Sequence, residues 1–215
     1  MSAVMAYSAQ LINLCAAVIL LLAFAMLAQR RVIHLIDLFA LQGLALFLST
    51  LIMALKTGQT HLYYSAGLTL LLKALLLPWI LHRLVRKLHV KSEVEALINI
   101  PTTMLVGLVL VIIAFNVALP ISNLSSSIAR GMLGIALATV MLAFLMMITR
   151  RKAITQVVGF LAMENGLFFA ATSATYGMPM VVELGIALDV LIGVLILGVF
   201  MFQIREQFDS LDIRH

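Results

Sequence analysis

Residues 6–28 read AYSAQLINLCAAVILLLAFAMLA and are followed at once by Gln29-Arg30-Arg31. The run contains no charged residue, and as an α-helix it is long enough to cross roughly 30 Å of hydrocarbon. In lipid every backbone N–H and C=O must find a partner within the chain, and a helix supplies those partners. The stretch therefore predicts a transmembrane helix that ends at an arginine pair.

The rest of the chain has the same apolar character. Of 215 residues, 64% are hydrophobic and 11% are charged, whereas about 25% of the residues in a soluble domain are charged. A chain this short cannot build a soluble core that buries so much apolar surface. Long apolar runs, rather than short alternating strands, favour helices over a membrane barrel. We predict an all-α, polytopic membrane protein.

Seven apolar runs are long enough to span the bilayer, and charged, Ser/Asn-rich or Gly/Pro-containing breaks separate them. The predicted spans are 6–28, 34–55, 62–83, 102–122, 128–149, 153–175 and 179–204.

The basic residues agree with this count. If the spans alternate in direction, the loops on one face hold only Lys56 and Arg130, and Lys73 lies inside a helix. The loops and tail on the other face hold Arg30, Arg31, Arg83, Arg86, Lys87, Lys91, Arg150, Arg151, Lys152, Arg205 and Arg214. By the positive-inside rule the N-terminus is outside and the C-terminus is cytoplasmic. The formal charge of +5 is thus a topology signal and does not indicate nucleic-acid binding.

The largest polar segment, residues 81–99, lies on the predicted cytoplasmic side. It is compatible with an interfacial helix, with a docking site for a cytoplasmic partner, or with a solvated loop. Residues 1–10 contain no Lys or Arg, so we expect no signal peptide and a first helix that stays in the protein.

Motifs for cofactors and metals are missing from the sequence. The single cysteine, Cys15, excludes an internal disulfide and a cysteine metal site, and it is best interpreted as a packing residue. There is no Walker A motif, no dinucleotide-binding glycine motif and no pair of mid-membrane histidines for haem. We predict no cofactor, no metal, and no catalysis by this chain alone.

Ionisable side chains inside spans are costly, which makes them candidates for function. By helical rise, Glu164 lies about 18 Å from the cytoplasmic edge, and Asp189 about 15 Å from the outer edge. Lys73 is near the middle of the third span. A buried carboxylate and a buried ammonium reduce each other's cost, and a proton relay needs such coupled groups. The alternative is an ion pair that only holds helices together, and which acid faces Lys73 stays open.

Two further acids lie toward opposite edges of the membrane. Glu183 is near the outer edge, as a mouth residue or a side chain that reaches the interface. Asp37 is near the cytoplasmic edge, where it can pair with His34 one turn earlier or open to water. Gln42 can extend a polar line from Asp37 into the membrane.

Pro78 follows Lys73 in the third span. Because proline lacks an N–H and its ring clashes with the preceding turn, it frees the carbonyl of Ala74 and predicts a kink. Such a kink can serve gating, or it can be an ordinary structural feature of a membrane helix.

Three segments resemble the hydrogenase-4 component E family. Residues 150–166, RRKAITQVVGFLAMENG, resemble its sixth-helix segment. Residues 182–189, VELGIALD, resemble its Val-Glu-Ile-Gly-Ile-Ala-Thr-Asp segment, and residues 72–78, LKALLLP, resemble its Thr-Lys-Val-Leu-Leu-Val-Pro. The three motifs occur in the family's order, and the matching length extends the resemblance over most of the chain.

The resemblance implies a non-redox subunit of the membrane arm of group 4 nickel–iron hydrogenases, such as formate hydrogenlyase, in a prokaryotic plasma membrane. Its last three helices look like the small K-type subunit of complex I and the C-type subunit of Mrp antiporters. It implies antiporter-like neighbours and a role in moving protons or sodium ions. The K-type pattern has an acid at the position of Leu161, whereas here the acid comes one turn later, at Glu164.

The predicted organisation follows from the spans and the resemblance. Residues 1–90 form a three-helix half and 91–101 a cytoplasmic connection. Residues 102–127 form the fourth helix and an outer loop, 128–204 a K-type-like three-helix unit, and 205–215 a tail. The alternatives to a hydrogenase-4-like subunit are a free-standing small transporter and a purely structural membrane scaffold.

Overall fold

The computed structural model describes residues 2–87, 94, 96–122, 127–175, 185 and 193. The helices are α1 Ser2–Ala28, α2 Val32–Thr57, α3 Thr60–Thr69, a π-helical segment Leu70–Leu76, α4 Leu77–Lys87, α5 Ile100–Ser122, α6 Ser127–Thr149 and α7 Ala153–Thr175. The segments α3, π and α4 follow one another without a break and form the third span.

Six spans within the described residues are long and apolar enough to cross a membrane. They coincide with the first six predicted spans, so the all-α membrane class is confirmed. The seventh predicted span, 179–204, lies outside the described residues apart from the helical Gly185 and Gly193. Glu183 and Asp189 also lie outside them.

The turn between α2 and α3 shows how short connections reverse the chain. Gly58 ends α2 with φ 68°, a left-handed backbone conformation that residues other than glycine rarely adopt. Its N–H donates to the carbonyl of Ala54 at 2.8 Å, which satisfies one of the last carbonyls of the helix. Short connections of this kind make neighbouring helices antiparallel.

The antiparallel order gives the bundle two distinct ends. We call the end where α1, α4 and α6 finish and α2, α5 and α7 start the basic end, because the loops and helix ends there hold six of the chain's nine arginines. The positive-inside rule predicts that this end is cytoplasmic. The other is called the opposite end.

The buried apolar residues form two clusters. The basic-end cluster comprises Ala23, Met26, Leu27, Val32, Leu35, Ile36, Phe39, Leu77, Leu81, Val85, Leu142, Ala143, Leu145, Met146, Val158, Leu161 and Ala162. The opposite-end cluster comprises Ile12, Ala16, Ile19, Ala45, Leu46, Met53, Ala54, Leu62, Met132, Ala136, Phe168 and Phe169. Between the two lies a layer of buried polar side chains, which we call the polar layer: Gln42, Lys73, Thr139, Glu164 and Asn165.

The described part of the connection between α4 and α5 crosses the basic end of the bundle. The N–H of Val94 donates to the carbonyl of Arg30 at 2.7 Å, and that of Leu97 donates to Thr149 at 2.9 Å. Ala96 forms an antiparallel bridge with Arg150. Residues 96–99 are therefore neither helical nor a free loop, and the connection binds the end of α1 through Val94 and the end of α6 through Ala96 and Leu97.

Arg150 lies in the predicted connection between α6 and α7, but it is not exposed there. Its side chain is buried, and its Nη2 donates to the carbonyls of Leu27 at 2.6 Å and Gln29 at 3.2 Å. Burial lowers the pKa of this guanidinium from its ordinary value, yet arginine stays charged in proteins. Arg150 thus caps the last carbonyls of α1 from the end of α6.

Candidate functional site in the polar layer

Lys73 lies in the π-helical segment, where α2 passes very close to the third span. A Cβ added to Gly43 of α2 would lie 3.0 Å from the Lys73 carbonyl carbon and 3.1 Å from its oxygen. Glycine is therefore the residue that permits this backbone approach. Single-turn π segments inside helices are costly and occur frequently at functional sites.

Lys73 forms a buried ion pair with Glu164 of α7. Its Nζ lies 3.0 Å from Glu164 Oε1, and the two side chains are only 2% and 4% exposed. Nζ also lies 5.4 Å from the centroid of the Phe168 ring, one turn after Glu164, which adds a cation–π contact. Among the described residues, Glu164 is thus the acid that faces Lys73. Two of the three predicted mid-depth groups, Lys73 and Glu164, are thus buried and adjacent, and the third, Asp189, lies outside the described residues.

The other oxygen of the Glu164 carboxylate is in a different position. Oε2 is buried and has no hydrogen-bond partner among the described residues, and the same holds for Oδ1 of the neighbouring Asn165. Both atoms are acceptors in a carboxylate and an amide. The interior thus contains two adjacent acceptors whose desolvation is not offset by a described donor, which costs free energy.

A second hydrogen-bond chain joins three helices at the same depth. Asn165 Nδ2 donates to Gln42 Oε1 at 3.1 Å, and Gln42 Nε2 donates to the carbonyl of Ile19 in α1 at 3.3 Å. Gln42 was expected to extend a polar line from Asp37. Instead it belongs to the polar layer, because it binds the residue next to Glu164.

Of the two predicted alternatives for Asp37, pairing with His34 is not found among the described residues, whereas its side chain is 55% exposed. Its Oδ1 lies 3.1 Å from Nε2 of His82 in α4, at the basic end and partly exposed to the surroundings. Nδ1 of His82 lies 2.9 Å from the carbonyl oxygen of Pro78. Asp37, His82 and Pro78 therefore form one contact group between α2 and α4.

Pro78 comes directly after a change of hydrogen-bond register. The π segment ends at Leu76, and the N–H of Leu77 still bonds five residues back, to Leu72. The next residue is Pro78, which has no N–H to continue either pattern. The predicted kink stays a prediction, and what the structure adds is the π register around Lys73.

The surroundings of the polar layer differ between its two sides. On the opposite-end side, hydroxyl side chains are buried along three spans: Ser49, Thr50, Ser65, Thr69, Thr172 and Ser173. On the basic-end side, buried polar side chains appear only at helix ends among the described residues: Thr103, Thr149, Arg150 and Thr155. From Glu164 to Thr155 this leaves an apolar distance of about 13 Å along α7.

Two of these hydroxyls have local partners. Thr50 donates to Leu46 and Thr172 to Phe168, each at 2.9 Å and each within its own helix. This back-bonding lets hydroxyls sit in an apolar helix at little cost. Ser65 Oγ differs, because it is buried with no partner among the described residues.

Within the part of the chain that the structure describes, His, Cys, Asp and Glu side chains form no group of three or more that could hold a metal ion. The chemistry available there is that of the Lys73–Glu164 pair and of the amides and hydroxyls around it.

Comparisons with known proteins identify relatives of this chain. It is 33% identical to the uncharacterized protein Rv0085 of Mycobacterium tuberculosis over 196 residues, which are 90% of this chain and 89% of that protein. It is 24% identical to hydrogenase-4 component E of Escherichia coli over 161 residues, which are 75% and 74% of the two chains. No family model and no solved structure matches.

Proposed function

This chain belongs to the family of the mycobacterial protein Rv0085, and we propose that it is a membrane subunit of a hydrogenase-4-like, complex I-related redox complex. In this proposal its buried charges take part in moving protons or sodium ions. The distant homology to hydrogenase-4 component E supports membership of such a complex. The main support for translocation is the buried Lys73–Glu164 pair, whose lysine lies in the π-helical segment.

The pair has the electrostatic property that a relay needs. As a unit it is neutral, whether the shared proton resides on the lysine or on the glutamate. A further proton or a cation leaves a net positive charge in a low-dielectric interior, where it interacts strongly with other charges several ångströms away. Each uptake event therefore changes the free-energy cost of charge at the next ionisable group.

Glu164 Oε2 is the proposed uptake atom, since it is the carboxylate oxygen that Lys73 does not bind. We assign Asp189 as the next group of the series, on the predicted seventh span, with Glu183 near the outer edge. Asp37, paired with His82, is assigned to the cytoplasmic edge. The series would continue laterally into an antiporter-like neighbouring subunit.

The test is a substitution of Glu164 in the assembled complex. Glu164→Gln keeps the shape of the side chain and removes its charge, and we expect loss of redox-driven ion uptake into membrane vesicles while the redox activity remains. Asp37→Asn is the matched control for loss of one carboxylate, with a smaller expected effect because Asp37 is partly exposed. Normal uptake by an assembled Glu164→Gln complex would overturn the proposal.

A double substitution separates a relay from a structural ion pair. Replacing a buried pair by apolar side chains of similar volume is often neutral for stability. Lys73→Met combined with Glu164→Leu should therefore restore assembly without restoring ion uptake. A scaffold role predicts that both return. A free-standing transporter instead predicts ion flux in vesicles that contain the purified chain alone.

A further inference from the structure

A groove opens at the basic end, away from the polar layer, where the connection to α5, the end of α6 and the start of α7 meet. It has a volume of about 600 Å³. Its described lining residues are Leu97, Phe144, Met147, Ile148, Arg150, Arg151 and Gln156. Among them are two arginines and no acid, so the described wall of the groove is positively charged.

Arg150 is the unusual member of this wall. An arginine has five N–H donors in a fixed geometry. Nη2 binds the two carbonyls at the end of α1. Nε and Nη1 are buried and have no acceptor among the described residues. A buried guanidinium with unmet donors is costly, and an anion is the partner that best offsets that cost.

The other two polar lining residues, Gln156 and Arg151, do not neutralise this positive charge. Gln156 is held by its own bond, since Nε2 donates to the carbonyl of Arg150 at 2.9 Å. Arg151 is exposed next to the groove. The groove is therefore lined by one buried guanidinium that the fold fixes and by one exposed guanidinium that can reach a ligand from outside.

The groove also has apolar lining residues, which we call its apolar wall, and several of them are exposed on the surface of the bundle. Phe144 and Ile148, one turn apart on α6, are 54% and 57% exposed, and Leu97 is 53% exposed. In a membrane protein, exposed apolar side chains of a spanning helix contact acyl chains. A basic pocket thus adjoins a lipid-facing apolar strip at the predicted level of the headgroups.

We infer that this groove binds the phosphate headgroup of an anionic phospholipid of the cytoplasmic leaflet, with an acyl chain against Phe144 and Ile148. Basic pockets at the cytoplasmic ends of membrane helices suit such headgroups. Arginine matches phosphate oxygens better than lysine does, because it is planar and weakly hydrated. The inference does not depend on the translocation proposal, because lipid binding is a property of this chain alone.

The test measures lipid retention by the purified full-length chain, by native mass spectrometry in a nonionic detergent. The probes are phosphatidylglycerol, phosphatidylcholine and inorganic phosphate. We expect retention of phosphatidylglycerol over phosphatidylcholine, and a loss of roughly fivefold in Arg151→Gln, the size expected for one surface arginine. Arg86→Gln is the matched control, since Arg86 is exposed at the same end and does not line the groove.

The apolar wall has its own pair of variants. Ile148→Ser should weaken retention of phosphatidylglycerol, whereas Leu108→Ser, at an exposed site on α5, should not. Equal retention by the wild type and Arg151→Gln would overturn the inference. So would full displacement of the lipid by inorganic phosphate, which would identify a free-anion site instead. Absence of bound phosphatidylglycerol in the wild type would overturn it as well.

Discussion

The two halves of the core bury similar apolar side chains but differ in what accompanies them. The opposite-end half includes buried hydroxyls on α2, α3 and α7, whereas the basic-end half is apolar until the helix ends in the described residues. Hydroxyls supply donors and acceptors that can accompany water or a proton, and aliphatic side chains exclude both. Among the described residues, the polar layer therefore lies at a boundary. Buried hydroxyl groups lie on its opposite-end side, and apolar side chains that exclude water lie on its basic-end side.

This asymmetry predicts the side of the membrane with which the Lys73–Glu164 pair exchanges ions. We expect it to exchange protons or cations with the opposite end, which the topology prediction places outside. Exchange with the basic end would then need a conformational change or a route through a neighbouring subunit. Four predictions test the contrast, from the largest expected effect to the smallest.

Breaking the pair should have the largest effect on stability. Lys73→Met leaves the Glu164 carboxylate buried without its partner, and removal of one member of a buried pair costs about 3–5 kcal/mol. The free energy of unfolding in detergent measures this loss. Adding Glu164→Leu should recover most of it. A Lys73→Met protein as stable as the wild type would show that the polar layer contributes little to cohesion between the halves.

Separating α2 from the π segment should cost less. Gly43→Ala places a methyl group 3.0 Å from backbone of Lys73, and overpacking of this kind costs about 1–3 kcal/mol. Gly67→Ala in α3 is the control, because nothing lies within 4 Å of the added Cβ and alanine favours helix more than glycine does. Equal unfolding free energies for the two variants would argue against a tight contact at Lys73.

Thiol labelling compares the two halves directly. In a Cys15→Ala background, Ser65→Cys on the hydroxyl side should react with a small maleimide at least about tenfold faster than Leu161→Cys in the basic-end cluster, since reaction requires water around the thiolate. The measurement is the labelling rate in sealed vesicles. Equal rates would contradict the proposed difference in water access between the two halves. Faster labelling of Leu161→Cys would indicate access from the basic end instead.

The smallest effect should come from the edge of the basic end. Asp37→Asn weakens the contact with His82, and a partly exposed ion pair of this kind contributes about 0–1 kcal/mol. His34→Gln is the control, since His34 is exposed and is not the partner of Asp37. A larger loss on Asp37→Asn would mean that this contact, and not only the apolar cluster, holds the basic end closed.

Several contacts in the site could not be predicted from the sequence, although the sequence identified the residues that form them. Helical rise alone places Lys73 and Glu164 near one depth, and the structure brings them together. That Gln42 binds Asn165, and that His82 replaces His34 beside Asp37, depends on how each helix is rotated. A rotation of one residue turns a helix by about 100° and exchanges its partners, so periodicity without a known neighbour cannot select among them.

Arg150 shows the same limit at the end of a helix. A basic residue in an Arg-Arg-Lys run is typical of a solvated loop, and only the position of α1 beside the end of α6 turns it into a buried cap. The π-helical hydrogen bonding around Lys73 likewise could not be located from Pro78 alone. In the structure it lies where Gly43 allows the backbone of α2 to approach Lys73 closely.

By itself, the sequence determined that this chain is an all-α membrane protein, where six described spans lie along it, and which charged side chains fall within them. Those properties follow from the length and apolarity that a bilayer demands of each segment, whatever its neighbours are. Only the tertiary structure decided that Glu164 pairs with Lys73, that the polar layer divides two unlike halves of the core, and that Arg150 lines a basic groove. These depend on helix rotation and close backbone approach, because side-chain contacts across the bundle are specific to one packing arrangement.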